Sequence, residues 1–396
     1  MNKLNKIFGA ALLSLSLNAF AGDCPSLSGE FTIGKEDADF TTINDAVNAL
    51  KCGGVSGPVT FLIQDGTYNE RVVLSSIQGA DAYNNVTFES KSGNNTEVVI
   101  EYATSDATLV MNGVSYVNFA NLTIDHKTAT YGNCARIDGK SSHLNFKGVV
   151  FDGVEAARTG ANSSTVYFAS TAPKSDMTFE DCEINNGSFG IYKSGMGTDG
   201  MDSKTSITGT LFFNQYESGL ALLNEDAPVI TNNVVSTLSN YAGFKAINLD
   251  NCAGNLVVSN NIVNAANGSY GLAMNNCTAS ATNLGQINNN SIAVGGNGET
   301  FGVYLSGTTD NQVLNFNRVK LTINGAQTNT QAYYRNIGSG NNINMMNNIF
   351  YDLNTGGYTI VGNTYKDFFN QLPSQSNPSL SVSANGIMIE KVSPIK

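Results

Sequence analysis

A doublet of asparagines recurs inside segments that otherwise have the composition of β-strands. It occurs in VITNNVV (229–235), VVSNNIV (257–263), QINNNSI (286–292) and MMNNIFY (345–351). Asparagine is a poor strand former, so its return indicates a fixed position in a repeating unit. A sharp bend between two strands is such a position, because asparagine tolerates the left-handed backbone region better than other non-glycine residues.

Stacked copies of this bend would place asparagine side chains directly above one another. Their amides can then hydrogen-bond from one copy to the next. The sequence therefore predicts an asparagine ladder, built from Asn121, Asn233, Asn261, Asn290 and Asn348. The alternative is that these residues are independent loop asparagines.

Other phrases recur with a long period along the chain. The segments FGIYKSG (189–195), SGLALLN (218–224), YGLAMNN (270–276) and FGVYLSG (301–307) are alike, and the mean spacing of such segments is roughly 27 residues. This spacing predicts an all-β fold in which each repeat is one coil of three short strands, and about ten to eleven coils stack as parallel sheets. An antiparallel sandwich would instead give turn signals every 8–12 residues.

The segment DFTTINDAVNALKCGG (39–54) predicts a helix before the first repeats. Thr42 and Asp45 have the spacing of a capping box, and Gly53 and Gly54 follow the helix. One apolar helix face is formed by Ile43, Ala46, Val47 and Leu50.

The first residues have the features of a secretory signal peptide. Lys3 and Lys6 precede an apolar stretch, and Ala19-Phe20-Ala21 fits a cleavage site. We therefore expect export from a bacterial cell, to the extracellular medium, the cell surface or the periplasm. The apolar stretch is too short to span a bilayer, so no membrane insertion is expected. The net charge of −11 also disfavours nucleic acid as a partner.

The repeats and the helix together resemble a known fold family. The coil with its asparagine ladder is similar to the right-handed parallel β-helix of pectin lyase-like proteins. The phrases FTIGKEDADFTTINDAVNALKCGGVSGPVTFLIQDGTYNERV (31–72) and VTFESKSGNN (86–95) resemble secreted bacterial surface β-helix repeat proteins. The resemblance implies a right-handed solenoid whose N-terminal end is capped by the predicted helix. It covers the mature chain as a fold and is specific for roughly residues 30–125.

The resulting prediction divides the chain into four segments. Residues 1–21 are the signal peptide, and residues 22–58 hold the capping helix. Residues 59–365 form the parallel β-helix, and residues 366–396 form a C-terminal closing segment.

Export permits disulfides among the six cysteines. Cys24 and Cys52 flank the predicted cap, and a bridge between them would fix it to the first coil. Cys252 and Cys277 occupy matching positions one coil apart, where stacked Cα atoms lie about 5 Å apart, so a second bridge is predicted there. The alternative for this pair is two buried thiols that pack as small apolar residues.

The remaining cysteines, Cys134 and Cys182, fall at different coil positions and are expected to be unpaired. Since no C-x-x-C spacing occurs, a zinc site is not indicated.

The histidines give no support for a catalytic triad. His126 follows Asp125 in LTIDHKT (122–128), but neighbours on a strand point to opposite faces and would not cooperate. His143 is the only other histidine.

Enzymes of the resembled family set sharper tests. The polygalacturonase-like set needs clustered aspartates with G-H-G and R-I-K phrases, which are absent. A pectate lyase-like site needs calcium-binding acids beside a basic residue that abstracts a proton. The candidates here are Arg136 and Asp138 for catalysis and Asp199 and Asp202 for calcium. No other cofactor is expected. The alternative for Arg136 and Asp138 is a salt bridge on a solvated sheet.

Aligning the first strand of each coil predicts an outward column that contains Tyr167, Tyr192, Tyr304 and Tyr334. Stacked tyrosines and asparagines supply ring contacts and hydrogen bonds for sugars. The preferred hypothesis is a non-catalytic protein that binds a polysaccharide or cell-surface glycan through its flat sheets. The alternatives are a polysaccharide lyase or glycoside hydrolase, and a structural spacer or adhesin stalk.

Overall fold

A computed structural model describes most of the chain. The described residues are 24–127, 131–155, 157–197, 200–268, 270–296, 298–322, 330–337, 342–352, 356–361, 365–370 and 379–382. The predicted signal peptide and most of the predicted closing segment lie outside these ranges.

The chain winds as a right-handed parallel β-helix of about 11 turns, as predicted. Each turn contributes one strand to each of three parallel sheets, called sheets A, B and C here, and equivalent strands pair with the turn before and the turn after. Strand Val55–Ile63, for example, pairs with Leu27–Ile33 on one side and with Val86–Ser90 on the other.

The strands follow in the order A, B, C within each turn. Sheet A contains Leu27–Ile33, Val55–Ile63, Val86–Ser90, Ser115–Ala120, Ser142–Lys147, Ser175–Glu180, Asp202–Thr208, Glu225–Asp226, Val229–Thr231, Val257–Ser259, Gly285–Asn288, Gln312–Asn315, the first half of Ile343–Asp352, and Tyr365–Asn370. Sheet B contains Gly66–Asn69, Val98–Tyr102, Thr123–His126, Val150–Asp152, Glu183–Asn185, Leu211–Phe213, Val234–Thr237, Ile262–Ala265, Ser291–Val294, Arg318–Leu321 and the second half of Ile343–Asp352. Sheet C contains Val72–Ser75, Ala107–Asn112, Asn133–Asp138, Val166–Phe168, Phe189–Ser194, Ser218–Leu223, Lys245–Asp250, Tyr270–Asn275, Thr300–Gly307, Thr330–Ile337, Gly356–Val361 and Ser379–Val382. A short 3₁₀ helix, Ala161–Ser163, lies in the loop that leads into Val166–Phe168.

Side chains of the same position stack along the interior of the solenoid. In sheet A the inward column includes five consecutive buried phenylalanines whose ring centroids lie 4.8–5.7 Å apart, namely Phe61, Phe88, Phe119, Phe146 and Phe179. The same column continues with aliphatic residues, Ile207, Ile230, Val258, Ile287 and Leu314. All ten are buried, so each coil covers the apolar side chains of its neighbours.

The helix Ile43–Gly53 lies at the N-terminal end of this core, and its predicted apolar face is buried. Its capping box is present, since Thr42 Oγ1 accepts from Asp45 N at 3.0 Å and Asp45 Oδ2 accepts from Thr42 N at 3.1 Å. Glu70, in the first coil, accepts hydrogen bonds from the backbone nitrogens of Ile43 and Asn44. The carboxylate therefore ties the positive end of the helix to the solenoid.

The asparagine doublets mark the bend between sheets A and B, and the two asparagines have different roles. The first residue adopts the left-handed conformation, with φ of 58° at Asn232, 58° at Asn260 and 56° at Asn289. The second points inward and is buried, as at Asn233 and Asn261. The expectation that the ladder residues themselves are left-handed was therefore wrong.

The buried asparagines form a continuous hydrogen-bonded ladder. Asn261 Nδ2 donates to Asn290 Oδ1 at 2.9 Å and to Ile230 O of the preceding coil at 2.9 Å. Asn261 Oδ1 accepts from both nitrogens of Asn233 at 3.0 Å. The ladder consists of Asn233, Asn261, Asn290, Asn317 and Asn348.

Two positions differ from the predicted ladder. Asn317 belongs to it, but the residue before Asn317 is Phe316, with φ of 56°, so no doublet signalled it. Asn121 does not belong to it, because Asn121 is itself the left-handed residue, with φ of 50°, and the inward position after it is Leu122.

The cysteines separate into one bridge and four free thiols. Cys24 and Cys52 form the disulfide that fixes the helix, as predicted. The predicted bridge between Cys252 and Cys277 is wrong, because both are free and buried. Cys252 Sγ donates instead to Leu222 O at 3.4 Å and Cys277 Sγ to Leu249 O at 3.5 Å, each on the preceding coil.

The other free thiols, Cys134 and Cys182, are also buried. Cys182 Sγ donates to Phe146 O at 3.3 Å, which is the contact that the ladder asparagines make with the coil before them. Burial raises the pKa of Cys182 to about 12, so this thiol stays protonated.

We expect Asn261→Ala to lower the free energy of unfolding by about 3 kcal/mol, because it leaves Asn233 N, Asn233 Nδ2 and Ile230 O without their buried partner. Urea unfolding followed by circular dichroism measures this. Asn260→Gly is the matched control and should change stability little, since glycine adopts the left-handed conformation freely. Equal midpoints for Asn261→Ala and wild type would disprove the role of the ladder.

Alkylation of unfolded, unreduced protein should label Cys134, Cys182, Cys252 and Cys277 and leave Cys24 joined to Cys52. The native protein should react at none of the four free thiols, because all four are buried. Mass spectrometry of the peptides reads both states. A joined pair of Cys252 and Cys277 peptides would contradict the structure.

Candidate ligand-binding face

The outward face of sheet C carries the predicted aromatic column. Strand register places one residue per coil in a single line, in the order Val110, Arg136, Tyr167, Tyr192, Ala221, Asn248, Ala273, Tyr304 and Tyr334. Two pairs of tyrosines therefore lie on one face, separated by three coils with smaller residues.

The first aromatic cluster consists of Tyr167, Tyr192 and Phe189, with Arg136 at its end. The rings of Tyr167 and Tyr192 stack with centroids 6.0 Å apart, and Phe189 meets Tyr192 edge-on at 5.0 Å. The guanidinium of Arg136 lies 6.0 Å from the centroid of Tyr167. Burial, then the charges of Tyr167 and Glu217, raise the pKa of Tyr192, so its phenol remains a hydrogen-bond donor.

The second aromatic cluster contains Tyr270, Phe301, Tyr304 and Tyr334. Tyr304 and Tyr334 stack at 5.1 Å, and Tyr270 meets Tyr304 edge-on at 5.3 Å. A cation again lies beside it, with Lys245 Nζ 5.8 Å from the centroid of Tyr270. The pKa of Tyr334 is raised, mainly by burial and secondarily by electrostatic repulsion from Tyr304 and Glu299. The two clusters thus share a composition of stacked phenols, a cation and a carboxylate.

Stacking decides which ring faces are open to a ligand. Tyr167 and Tyr334 each have one face covered by the stacked partner, and Tyr167 has Arg136 on its other side. On the other side the register places Ala221 beside Tyr192 and Ala273 beside Tyr304, and Tyr270 of the Ala273 strand also meets the Tyr304 ring edge-on. The Ala221 strand, Ser218–Leu223, carries no aromatic residue, so Tyr192 is the tyrosine with the fewest ring contacts toward the interval between the clusters.

A row of polar side chains follows the same interval two residues further along the strands. Asn275 Nδ2 donates to Asp250 Oδ1 at 2.8 Å, and Ser306 Oγ donates to Asn275 Oδ1 at 2.9 Å. Asn248 supplies a further amide in the tyrosine column itself. These groups give the interval hydrogen-bonding capacity on a rigid backbone.

Arg136 and Asp138 form part of a surface ion-pair network. Arg136 Nε donates to both oxygens of Asp138 at 3.0–3.1 Å, and its Nη1 contacts Asp106 at 2.8 Å. Asp106 also pairs with Arg71 at 3.2 Å. Partial burial lowers the pKa of Arg136, but the bonds to Asp138 and Asp106 outweigh it and the net shift is upward. A permanently protonated guanidinium cannot accept a proton, so the geometry is that of the salt bridge.

The two histidines lie in unrelated places. His126 is buried and its Nδ1 lies 3.1 Å from Thr108 Oγ1, and burial lowers its pKa so that the ring is neutral. His143 is exposed and stacks on Tyr116 at 4.4 Å. Asp125, next to His126, is paired with Lys127.

The predicted calcium ligands are not brought together. Asp202 is fully buried, its Oδ1 accepts from Lys174 N at 2.8 Å and its Oδ2 pairs with Lys193 at 2.8 Å. An aspartate that is held in this way is not an open ligand, so its assignment to calcium was wrong. Asp199 lies outside the described residues. Within the described part of the chain, no group of three or more acidic, histidine or cysteine side chains could hold a metal ion.

The repeat pattern predicted the four tyrosines of the column but missed Phe189, Tyr270 and Phe301. All three stand at the beginning of the recurring phrases FGIYKSG, YGLAMNN and FGVYLSG. Simple alternation from the tyrosine column does not reach them, because each lies three residues before a residue of that column, for example Phe189 before Tyr192, and an odd spacing predicts the opposite face of a strand. An aromatic residue before a glycine was the signal.

Solved structures with a similar backbone fold include a surface adhesin, a pectate lyase and a pectin methylesterase. The surface adhesin PfbA of Streptococcus pneumoniae is 13% identical, with 82% of this chain and 88% of that chain covered and a TM-score of 0.44. The pectate lyase Pel9A is 13% identical, with 88% and 83% covered and a TM-score of 0.47. The pectin methylesterase of Aspergillus niger is 14% identical, with 84% and 88% covered and a TM-score of 0.32.

The predicted likeness to pectin lyase-like β-helix proteins is confirmed at the level of fold. At these identities the similarity carries no information about what this chain binds. No family model and no curated protein matches the chain.

If the protein depolymerises pectate, pectin or a neutral polysaccharide, with or without added calcium, we expect Arg136→Gln to leave the rate unchanged, because Arg136 cannot act as a base. Ultraviolet absorbance of unsaturated products and release of reducing ends measure this. An activity that Arg136→Gln abolishes would contradict the prediction.

Proposed function

We propose that this protein is an exported, non-catalytic β-helix that binds a glycan on the outward face of sheet C. The observation that carries the proposal is the pair of aromatic clusters on one rigid column, each with stacked phenols beside a cation. Aromatic side chains fixed by a sheet lose little conformational entropy on binding, which suits weak, repeated contacts with sugar rings.

The ligand would lie along the solenoid axis between Tyr192 and Tyr304. These residues are four coil steps apart, a distance of roughly 19 Å at the usual strand spacing. Tyr192 and Tyr304 bound this interval, and Asn248, Asp250 and Asn275 supply amide and carboxylate groups within it. Such a site fits an extended oligosaccharide better than a compact ligand.

The charge of the protein favours a neutral or cationic glycan. The net charge is −11, and Glu217 and Glu299 lie near the two clusters. An anionic polysaccharide would be repelled unless a divalent cation bridged it.

Export is supported by the Cys24–Cys52 disulfide, since such bonds persist mainly in oxidising compartments. In the described part of the chain, no helix is long and apolar enough to cross a membrane. We propose the extracellular medium or the cell surface as the site of action.

The double variant Tyr192→Ala with Tyr304→Ala should weaken retention of a bound glycan by about tenfold to a hundredfold, since each ring contact contributes about 0.5–1.5 kcal/mol. A glycan array identifies the ligand of the wild type, and calorimetry compares the variants. Tyr83→Ala, which removes a tyrosine that is 86% exposed on a distant loop, is the control and should bind normally.

Two results would overturn the proposal. Unchanged affinity in the double variant, with unchanged circular dichroism, would exclude this face as the site. Failure of the wild type to bind any glycan would favour the spacer or adhesin-stalk function.

A further inference from the structure

A cluster of charged side chains is sealed inside the solenoid, away from the face described above. Lys193, Asp202 and Glu225 are each 0% exposed. Lys193 Nζ lies 2.8 Å from Asp202 Oδ2 and is in contact with Glu225 Oε2. Lys193 occupies the inward column of sheet C, where its stacked neighbours are Phe168 and Leu222.

A gain in folding stability does not explain why these three charged residues are buried. Removing charges from water costs several kcal/mol for each ion, and apolar residues of similar volume often give equal or greater stability. The coils on either side fill the Lys193 position with apolar side chains, Phe168 and Leu222. The charged groups therefore call for a chemical explanation.

The geometry holds an amine against a carboxyl group in a dry site. Asp202 Oδ1 accepts from Lys174 N at 2.8 Å, while Oδ2 has no hydrogen-bond donor other than the Lys193 ammonium in the described part of the chain. Glu225 Oε1 is held by Thr205 N at 3.2 Å, which directs Oε2 toward Lys193. The Phe168 ring lies 5.7 Å from Lys193 Nζ and excludes water on that side.

We propose that Lys193 and Asp202 join in an intramolecular amide bond, with Glu225 transferring the protons. The Lys193 nitrogen attacks Asp202 Cγ, an Nζ–Cγ bond forms and the Cγ–Oδ2 bond breaks. The ammonium gives up two protons, which leave with that oxygen as one molecule of water. Glu225 relays protons from nitrogen to the departing oxygen and returns to its initial state, so no other reactant is needed.

Burial favours each part of this reaction. Desolvation is the largest influence on Glu225 and raises its pKa, so this carboxyl can hold and deliver a proton. Condensation replaces a buried cation and anion with one neutral amide, which removes their desolvation penalty. Fixed contact between nucleophile and electrophile supplies the proximity that such a step requires.

The bond would close the turn between sheets C and A. It would tie strand Phe189–Ser194 to strand Asp202–Thr208 across residues 195–201. A covalent link in the middle of a solenoid would resist opening of the coils, whatever the outer face binds.

The test is peptide mapping of the full-length protein as purified. In the linked form, trypsin fails to cut after Lys193, and peptide 175–204 is lighter than its sequence mass by one water, with fragment ions that join Lys193 to Asp202. Lys147 and Glu180 form the internal control, because this pair lies 3.0 Å apart but its side chains are 54% and 41% exposed. Trypsin should cut normally after Lys147.

Two variants assign the roles. Asp202→Asn should give a linked peptide of the same final mass as wild type, because ammonia leaves in place of water. Glu225→Gln should leave Lys193 unlinked and cleavable while the circular dichroism spectrum is retained.

Several results would overturn the proposal. Normal cleavage after Lys193 in the wild type would do so, including a peptide that has lost water through a succinimide at Asp202. A link from Lys193 to Glu225 would overturn the assignment of Asp202 as the acceptor.

Discussion

Stacking of one coil on the next is the interaction on which the rest of this structure depends. A single coil buries almost nothing by itself, since its apolar side chains are covered only by the coils above and below. Parallel pairing fixes the rise from coil to coil, and every inward position then meets its own equivalent. The column from Phe61 to Leu314 shows the outcome, because aromatic residues stack on aromatic ones and aliphatic residues on aliphatic ones.

The same constraint explains the polar residues at the turns. At several bends a buried carbonyl of the preceding coil is met by a short side chain. Asn261 uses its amide, Cys182 and Cys252 use their thiols, and Thr309 Oγ1 faces Met274 O at 3.5 Å. The four free cysteines are therefore small buried residues, of which Cys182 and Cys252 donate hydrogen bonds to the preceding coil. Cys24 and Cys52 form the disulfide.

A rigid stack also accounts for the proposed binding face. Strand register holds Tyr192 and Tyr304 at a fixed separation, with no loop movement required to assemble the site. The Lys193 cluster lies on the inner side of the same sheet. One strand, Phe189–Ser194, therefore carries both Tyr192 of the proposed binding face and Lys193 of the proposed amide bond. The two proposals nonetheless involve different side chains and can fail independently.

The repeat, the parallel coil, the capping helix and most of the ladder could be predicted from the sequence alone. These features follow from local pattern: a fixed period, a capping box, and asparagine where a bend is required. The three-dimensional structure was needed to show which residue of each doublet bends and which one bonds, because that depends on φ and on the coil above. It was also needed to show that Asp202 is buried beside Lys193, since the sequence pattern does not reveal that this aspartate points inward. The Cys252–Cys277 pair was misjudged for the same reason. Stacking brings equivalent Cα atoms close, but the direction of each thiol is set by the carbonyl that needs a donor.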